Sequence, residues 1–179
     1  MSIKEIDGSK ASDNIKELTK FDNSMLYNLT IYGQDIIMLL DNKIVKYNMQ
    51  NGSTDTVKGF DTTQINYSML SSKYYAVIED EFNKNNTENS SLNHKYMVQT
   101  KYYDSRTIAS TQIDDLPKSV ESGEYLVYLI YQDKIKIVNK WGLEIKEVPI
   151  KFPPKKLIQF NNEKCIALIY SNKIYIVNI

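Results

Sequence analysis

Three eight-residue stretches, DNKIVKYN from Asp41, QDKIKIVN from Gln132 and SNKIYIVN from Ser171, are near copies of one another. A chain that rewrites one phrase of alternating apolar positions must repeat the supersecondary unit around it, because the same pattern buries the same face each time. Placing Lys43 on Lys134 aligns residues 36–57 with residues 127–148 without a gap at an offset of 91, and placing Lys134 on Lys173 gives an offset of 39. The period is therefore about 39, with room for one longer copy between the first and the third. That copy reads SSKYYAVIEDEF and resumes, after an insertion, as HKYMVQTKYYDSRTIASTQI. Its Asp104 stands where Asn48, Asn139 and Asn178 stand, and an aliphatic follows nine residues later in every complete copy, at Val57, Ile113 and Val148. Four repeats result.

Each repeat has the same internal order. An apolar run (residues 36–40, 74–78, 126–131 or 166–170) is followed by a short polar turn and an alternating strand that ends in Asn or Asp. A second turn, with Asn51-Gly52 in one copy and Trp141-Gly142 in another, leads to a further strand. A weaker strand precedes each unit, as in QINYSML and LIQF. The unit is a four-stranded antiparallel meander. Its second strand, IIMLL or YLVYLIY, is apolar on both faces, which a two-sheet sandwich would not require. Stacking each sheet between two neighbours does.

On this rhythm the chain resembles the broad β-propeller class, of the kind that includes WD40-like repeats, over residues 24–179. The Gly-His and Trp-Asp markers of WD40 repeats, the double glycine of kelch and the cysteine pair of hemopexin-like propellers are absent, so no narrower family follows. The expectation is an all-β single domain: a small propeller of about four four-stranded antiparallel blades near residues 24–60, 61–113, 114–151 and 152–179. The last copy stops at Ile179, after its third strand. SIKEID at the chain's start echoes EIKEVP of the third copy, so residues 1–7 are expected to close the last blade, with residues 8–17 as a connection carrying a helical turn after Asp13. An open edge would instead pair with a second protomer, leaving monomer and homodimer both open.

Composition removes several classes of function. Lys and Arg total 22 and so do Asp and Glu, so the electrostatic footprint of a nucleic-acid or anionic-membrane protein is missing. No apolar run reaches the ~18 residues of a membrane span and the start lacks a signal-peptide pattern, which reads as cytoplasmic. The single Cys165 lies in the apolar run CIALIY and reads as a packed residue. With one His and one Cys no His/Cys zinc site can form within the chain, and no glycine-rich phosphate loop is present. No cofactor and no metal are expected, and no enzymatic activity.

The expected role is a non-enzymatic interaction module that binds a protein partner through its loop face, with carbohydrate or small-ligand binding at the channel mouth as the alternative. Three second-to-third turns are minimal, at Asp41-Asn42, Gln132-Asp133 and Ser171-Asn172, whereas the second repeat carries EDEFNKNNTENSSLNH between Glu79 and His94. Loops of that length are functional or disordered. In it Glu79, Asp80 and Glu81 are acidic, without the alternating Asp ladder of a calcium loop, Phe82 is a possible aromatic anchor, and His94 is the lone histidine. Tyr131 and Tyr170 stand at blade ends and Trp141 at a hairpin tip, where each serves either packing or recognition. Adjacent carboxylates such as Asp114-Asp115 point to opposite faces of a strand and do not form a working acid–base pair.

Overall fold

The computed structural model describes residues 2–6, 15–60, 67–80 and 96–179. Its seventeen strands fall into five antiparallel sheets among these residues. Strands β1 (Ser2–Ile6) and β2 (Ile15–Lys20) form a hairpin. The first four-stranded sheet follows, with β3 (Leu26–Tyr32), β4 (Asp35–Leu40), β5 (Lys43–Asn48) and β6 (Thr54–Gly59). The second holds β7 (Ser68–Leu70), β8 (Tyr75–Asp80), β9 (Tyr96–Lys101) and β10 (Thr107–Ile113). The third holds β11 (Ser119–Ser122), β12 (Leu126–Ile130), β13 (Lys134–Asn139) and β14 (Glu144–Pro149). The last has three strands, β15 (Lys156–Phe160), β16 (Cys165–Ile169) and β17 (Ile174–Asn178).

In each of the four larger sheets, strands pair in chain order, as a meander requires. The turns are those the repeat announced. Leu40 and Lys43 flank a two-residue turn, and Tyr131 and Tyr170 donate their amides to the carbonyls of Lys134 and Lys173 to close the equivalent hairpins. The second turn needs a left-handed residue, which Gly52 and Gly142 supply at φ of 73° and 87° and Ser105 supplies at 71°. A Cβ on Gly142 would meet the Thr111 hydroxyl at 2.3 Å, so glycine is fixed there by close approach as well as by φ.

In the first three of these sheets the Asx residue at or just after the end of the third strand closes that turn. Asn139 Oδ1 accepts from the amides of Trp141 and Leu143, Asn48 Oδ1 from those of Gln50 and Asn51, and Asp104 Oδ1 from that of Arg106.

The chain divides into two compact units, residues 1–62 and 63–179. In the first, Met38, Leu40, Val45 and Tyr47 make a buried cluster on one face of the first sheet, and Leu18 and Phe21 pack on it. In the second, two clusters join three sheets. Tyr74, Ala76, Ile78 and Val98 of the second sheet pack with Val120, Val127, Leu129 and Val138 of the third. Tyr128, Ile130, Ile135 and Ile137 on the opposite face of the third pack with Leu157, Ile166 and Leu168 of the last. The third sheet is thus buried on both sides, which is why its second strand carries no polar face.

The amino terminus departs from expectation. Strand β1 pairs with β2, with Ile6 opposite Ile15, and no pairing with β17 is present among the described residues. The segment after Asp13 runs into a strand from Ile15 instead of a helical turn. A hairpin partner a few residues away costs far less loop-closure entropy than one at the other end of the chain. The resemblance between SIKEID and EIKEVP correctly marked a strand, but strand character does not choose a partner.

Candidate functional site

Where the third and last sheets meet, a cleft of about 280 Å³ opens to solvent. Its floor is Val148 and Leu168, both buried, and Val177. Its walls are Pro149 at the end of β14, Ile150 and Phe152 on the connection between β14 and β15, and Tyr170 and Tyr175 on either side of the last hairpin turn. Two prolines, Pro153 and Pro154, follow Phe152 and stiffen that connection.

The three rings are ordered by their contacts. Phe152 stands edge-to-face against Tyr170 with centroids 5.0 Å apart, and Tyr170 stands likewise against Tyr175 at 5.7 Å. The Tyr170 hydroxyl donates to the Phe152 carbonyl at 3.2 Å, tying the connection to the hairpin. Burial pushes the Tyr170 phenol above its ordinary value, and Tyr175 adds to the shift, so the group stays a neutral donor. Among the described residues, Lys151 is the one charged residue that lines the cleft. Such a site presents ring faces and aliphatic carbons to an apolar group and one ammonium to its polar end.

Nothing in the cleft forms a nucleophile–base pair, and among the described residues no three His, Cys, Asp or Glu side chains come together as a metal site would need.

No protein-family model matches the sequence, and no curated protein matches it in sequence. Solved structures do match. TolB from Acinetobacter baumannii aligns over 99% of this chain and 46% of its own, at a TM-score of 0.56 and 11% identity. BamB from Moraxella catarrhalis aligns over 83% and 41%, at 0.53 and 10%. The N-terminal domain of Nup159 aligns over 86% and 45%, at 0.52 and 8%. All three are β-propeller proteins. The sheets are propeller blades in form. Identities this low carry the fold and nothing of the activity, and the chain spans less than half the length of each of these structures.

The blades distribute the expected site residues unevenly. Tyr170 lines the cleft. Tyr131 is only 8% exposed and packs in the cluster between the second and third blades, leaving little ring for a ligand. Trp141 is 57% exposed at its hairpin tip, with the Lys140 ammonium 4.9 Å from its ring centroid. Glu79 is half-buried within β8, and Asp80 ends that strand opposite Tyr96. Glu81, Phe82 and His94 lie outside the described residues, as does most of the insertion they belong to.

Sequence reasoning missed Phe152 and Tyr175, which share the cleft with Tyr170. The signal was present. KFPP is the one connection between blades that sets an aromatic beside two prolines, and Tyr175 stands where the other two phrases have Val45 and Lys136.

Proposed function

We propose that this chain is a non-enzymatic β-propeller interaction module that binds an extended protein segment, whose apolar anchor enters the cleft at residues 148–177. The observation that supports it is the cleft itself: three mutually ordered aromatic rings over an aliphatic floor, held by two rigid sheets. Its volume lies at the lower end of ligand pockets, a size suited to one large apolar side chain. The insertion at residues 79–95 belongs to the same reading as a second contact surface.

Probing a peptide array with wild-type protein and with Tyr170→Ala and Phe152→Ala tests it. Wild type should select peptides sharing an aromatic or aliphatic anchor, and each variant should lose at least ~10-fold in affinity, as expected for an anchor pocket. Absence of selection, or selection indifferent to both substitutions, rejects the cleft. Deleting residues 83–92 should weaken the same peptides if the insertion takes part.

The enclosure of the cleft by ring faces also favours a second reading, a small apolar or carbohydrate ligand in the same place. A thermal-shift screen of sugars and aromatic fragments separates the two: hits that vanish in Tyr170→Ala, with an empty peptide array, would select the small ligand.

A further inference from the structure

The last sheet ends on an edge unlike those of the other blades. Each four-stranded sheet finishes with a fourth strand that carries one extra residue, Val57 in β6, Ile108 in β10 and Ile145 in β14. Such bulges spoil an edge as a template for further pairing. Strand β17 pairs with β16 without a register shift, and its IYIVN holds neither a charge nor a proline. No described strand occupies the fourth position beside it.

The two ends of the β16–β17 ladder show which way its backbone groups point. The Tyr170 amide donates to the Lys173 carbonyl, and the Ile179 amide donates to the Lys164 carbonyl. By antiparallel alternation, residues 173, 175, 177 and 179 turn their backbone groups inward to β16, and Ile174, Ile176 and Asn178 turn theirs outward. The Lys146 ammonium takes the Asn178 carbonyl. The amides and carbonyls of Ile174 and Ile176 face the open fourth position. The aromatic cleft lies along this edge, with Val148 and Pro149 of β14 on one side and Tyr175 and Val177 of β17 on the other.

Charge selects what enters. Residues 150–179 hold Lys151, Lys155, Lys156, Lys164 and Lys173 against one carboxylate, Glu163, in a chain balanced at 22 and 22 overall. All of these lysines but Lys164 stand toward the end where β15 and β17 both begin, since Lys156 and Ile174 are each opposite Ile169. The third sheet shows how a fourth strand answers lysines there: Lys134 and Lys136 are ion-paired with Glu147 and Glu144 of β14.

We propose that the partner segment of the cleft binds by β-strand addition, as an acidic strand that pairs antiparallel with β17 in the empty fourth position. This rests on the cleft reading above and adds how the segment is held. Side chains directly opposite one another share a face, so the residue opposite Tyr175 is the apolar anchor that enters the cleft. The register of β13 with β14 then puts the residue two places after the anchor opposite Lys173, where a carboxylate fits. The residues on either side of the anchor lie opposite Ile176 and Ile174 and exchange the backbone hydrogen bonds.

Fluorescence anisotropy with the full chain tests this. The probe is a labelled peptide of about ten residues, alternating Thr and Val around one Phe, with Glu two places after the Phe. N-methylation of the residue before or after Phe should weaken binding at least ~10-fold, whereas N-methylation of the Phe itself should be tolerated. Ile176→Pro removes an outward amide and leaves the inward ladder intact, so it should lose affinity to the same extent with unchanged circular dichroism. The N-methyl series keeps the test valid if that variant misfolds. Replacing the peptide Glu by Lys should also weaken binding, and Lys173→Glu should restore it. Binding that depends on Tyr170 but is indifferent to all N-methylation would leave the cleft reading standing and overturn strand addition. No binding by any peptide would reject both. Binding that emerges only when residues 1–7 are deleted would show the chain's own start in the fourth position, and would likewise overturn the proposal.

Discussion

Strands β13 and β17 are written almost identically, KIKIVN and KIYIVN, yet they end in opposite environments. Ile135 and Ile137 are fully buried, whereas Ile174 and Ile176 are 64% and 59% exposed. Both are the third strand of their sheet after the same minimal turn, but β13 lies between β12 and β14 whereas β17 is the edge strand. The difference is the neighbour. Ile135 and Ile137 lie under the last sheet, whereas Ile174 and Ile176 lie on the face of the last sheet turned away from the third. Local sequence thus sets strand, register and facing, while burial is a property of the stack, as in any array whose units cannot cover their own faces.

The widest gap should appear on truncating the matched isoleucines. Ile137→Ala leaves a cavity between two sheets and should cost about 2–5 kcal/mol, while Ile176→Ala removes an already solvated side chain and should cost well under ~1 kcal/mol in dilute solution. Urea unfolding at low protein concentration measures both. Equal costs would mean that the last face is covered in the monomer after all.

Alkaline pH should reach the covered sheets first. Burial raises the phenols of Tyr75 and Tyr131 to about 12, and pushes Tyr74 and Tyr128 higher still. Because the folded state holds these groups neutral while the unfolded chain ionises near ~10, stability should be constant below that pH and fall as pH rises toward 12. Unfolding midpoints measured across this window check the sign; a flat profile would remove the desolvation argument.

Two buried hydroxyls make a finer contrast. Tyr103 Oη lies 2.6 Å and 2.8 Å from the carbonyls of Ser71 and Tyr74, so Tyr103→Phe strands buried acceptors and should cost about 1–3 kcal/mol. Tyr128 Oη is buried with no partner among the described residues. Tyr128→Phe should therefore be neutral or stabilising by up to ~1 kcal/mol.

The Asx at the end of each phrase is next. Asn139→Ala removes two amide contacts from the Trp141-Gly142 turn and should cost about 1 kcal/mol. Asn178 Oδ1 accepts from the Cys165 thiol, a weak donor. Asn178→Ala should be near neutral in the same thermal-unfolding assay.

These cases show where the sequence was readable. Strand order, the two-residue turns and the glycine positions recur with the repeat, and each followed from it. The partner of Ser2–Ile6 did not, because pairing is decided by competition between a nearby strand and a distant edge, and alternation is the same in both. The cleft was half legible. Tyr170 could be placed at a blade end from its repeat position, but Phe152 reaches it from an irregular connection, and no periodicity describes where such a connection turns. Tyr131 shows the converse: it holds the same repeat position as Tyr170, yet it packs between two full sheets and is lost to solvent.

The comparison can be pressed to its limit by making the two phrases one. Tyr175→Lys turns KIYIVN into KIKIVN, so β13 and β17 would then differ in nothing but their surroundings. If burial belongs to the stack, Ile174 and Ile176 stay solvated and global stability shifts by no more than ~0.5 kcal/mol, the usual range for an exposed site. Relaxation enhancement of the isoleucine methyl signals by a soluble paramagnet reads the exposure of the four isoleucines directly. The substitution also removes one of the three rings of the cleft, so peptide affinity should fall although stability does not. A protein that loses stability and binding together would show that Tyr175 holds the last sheet in place, and the cleft would then be packing instead of a site.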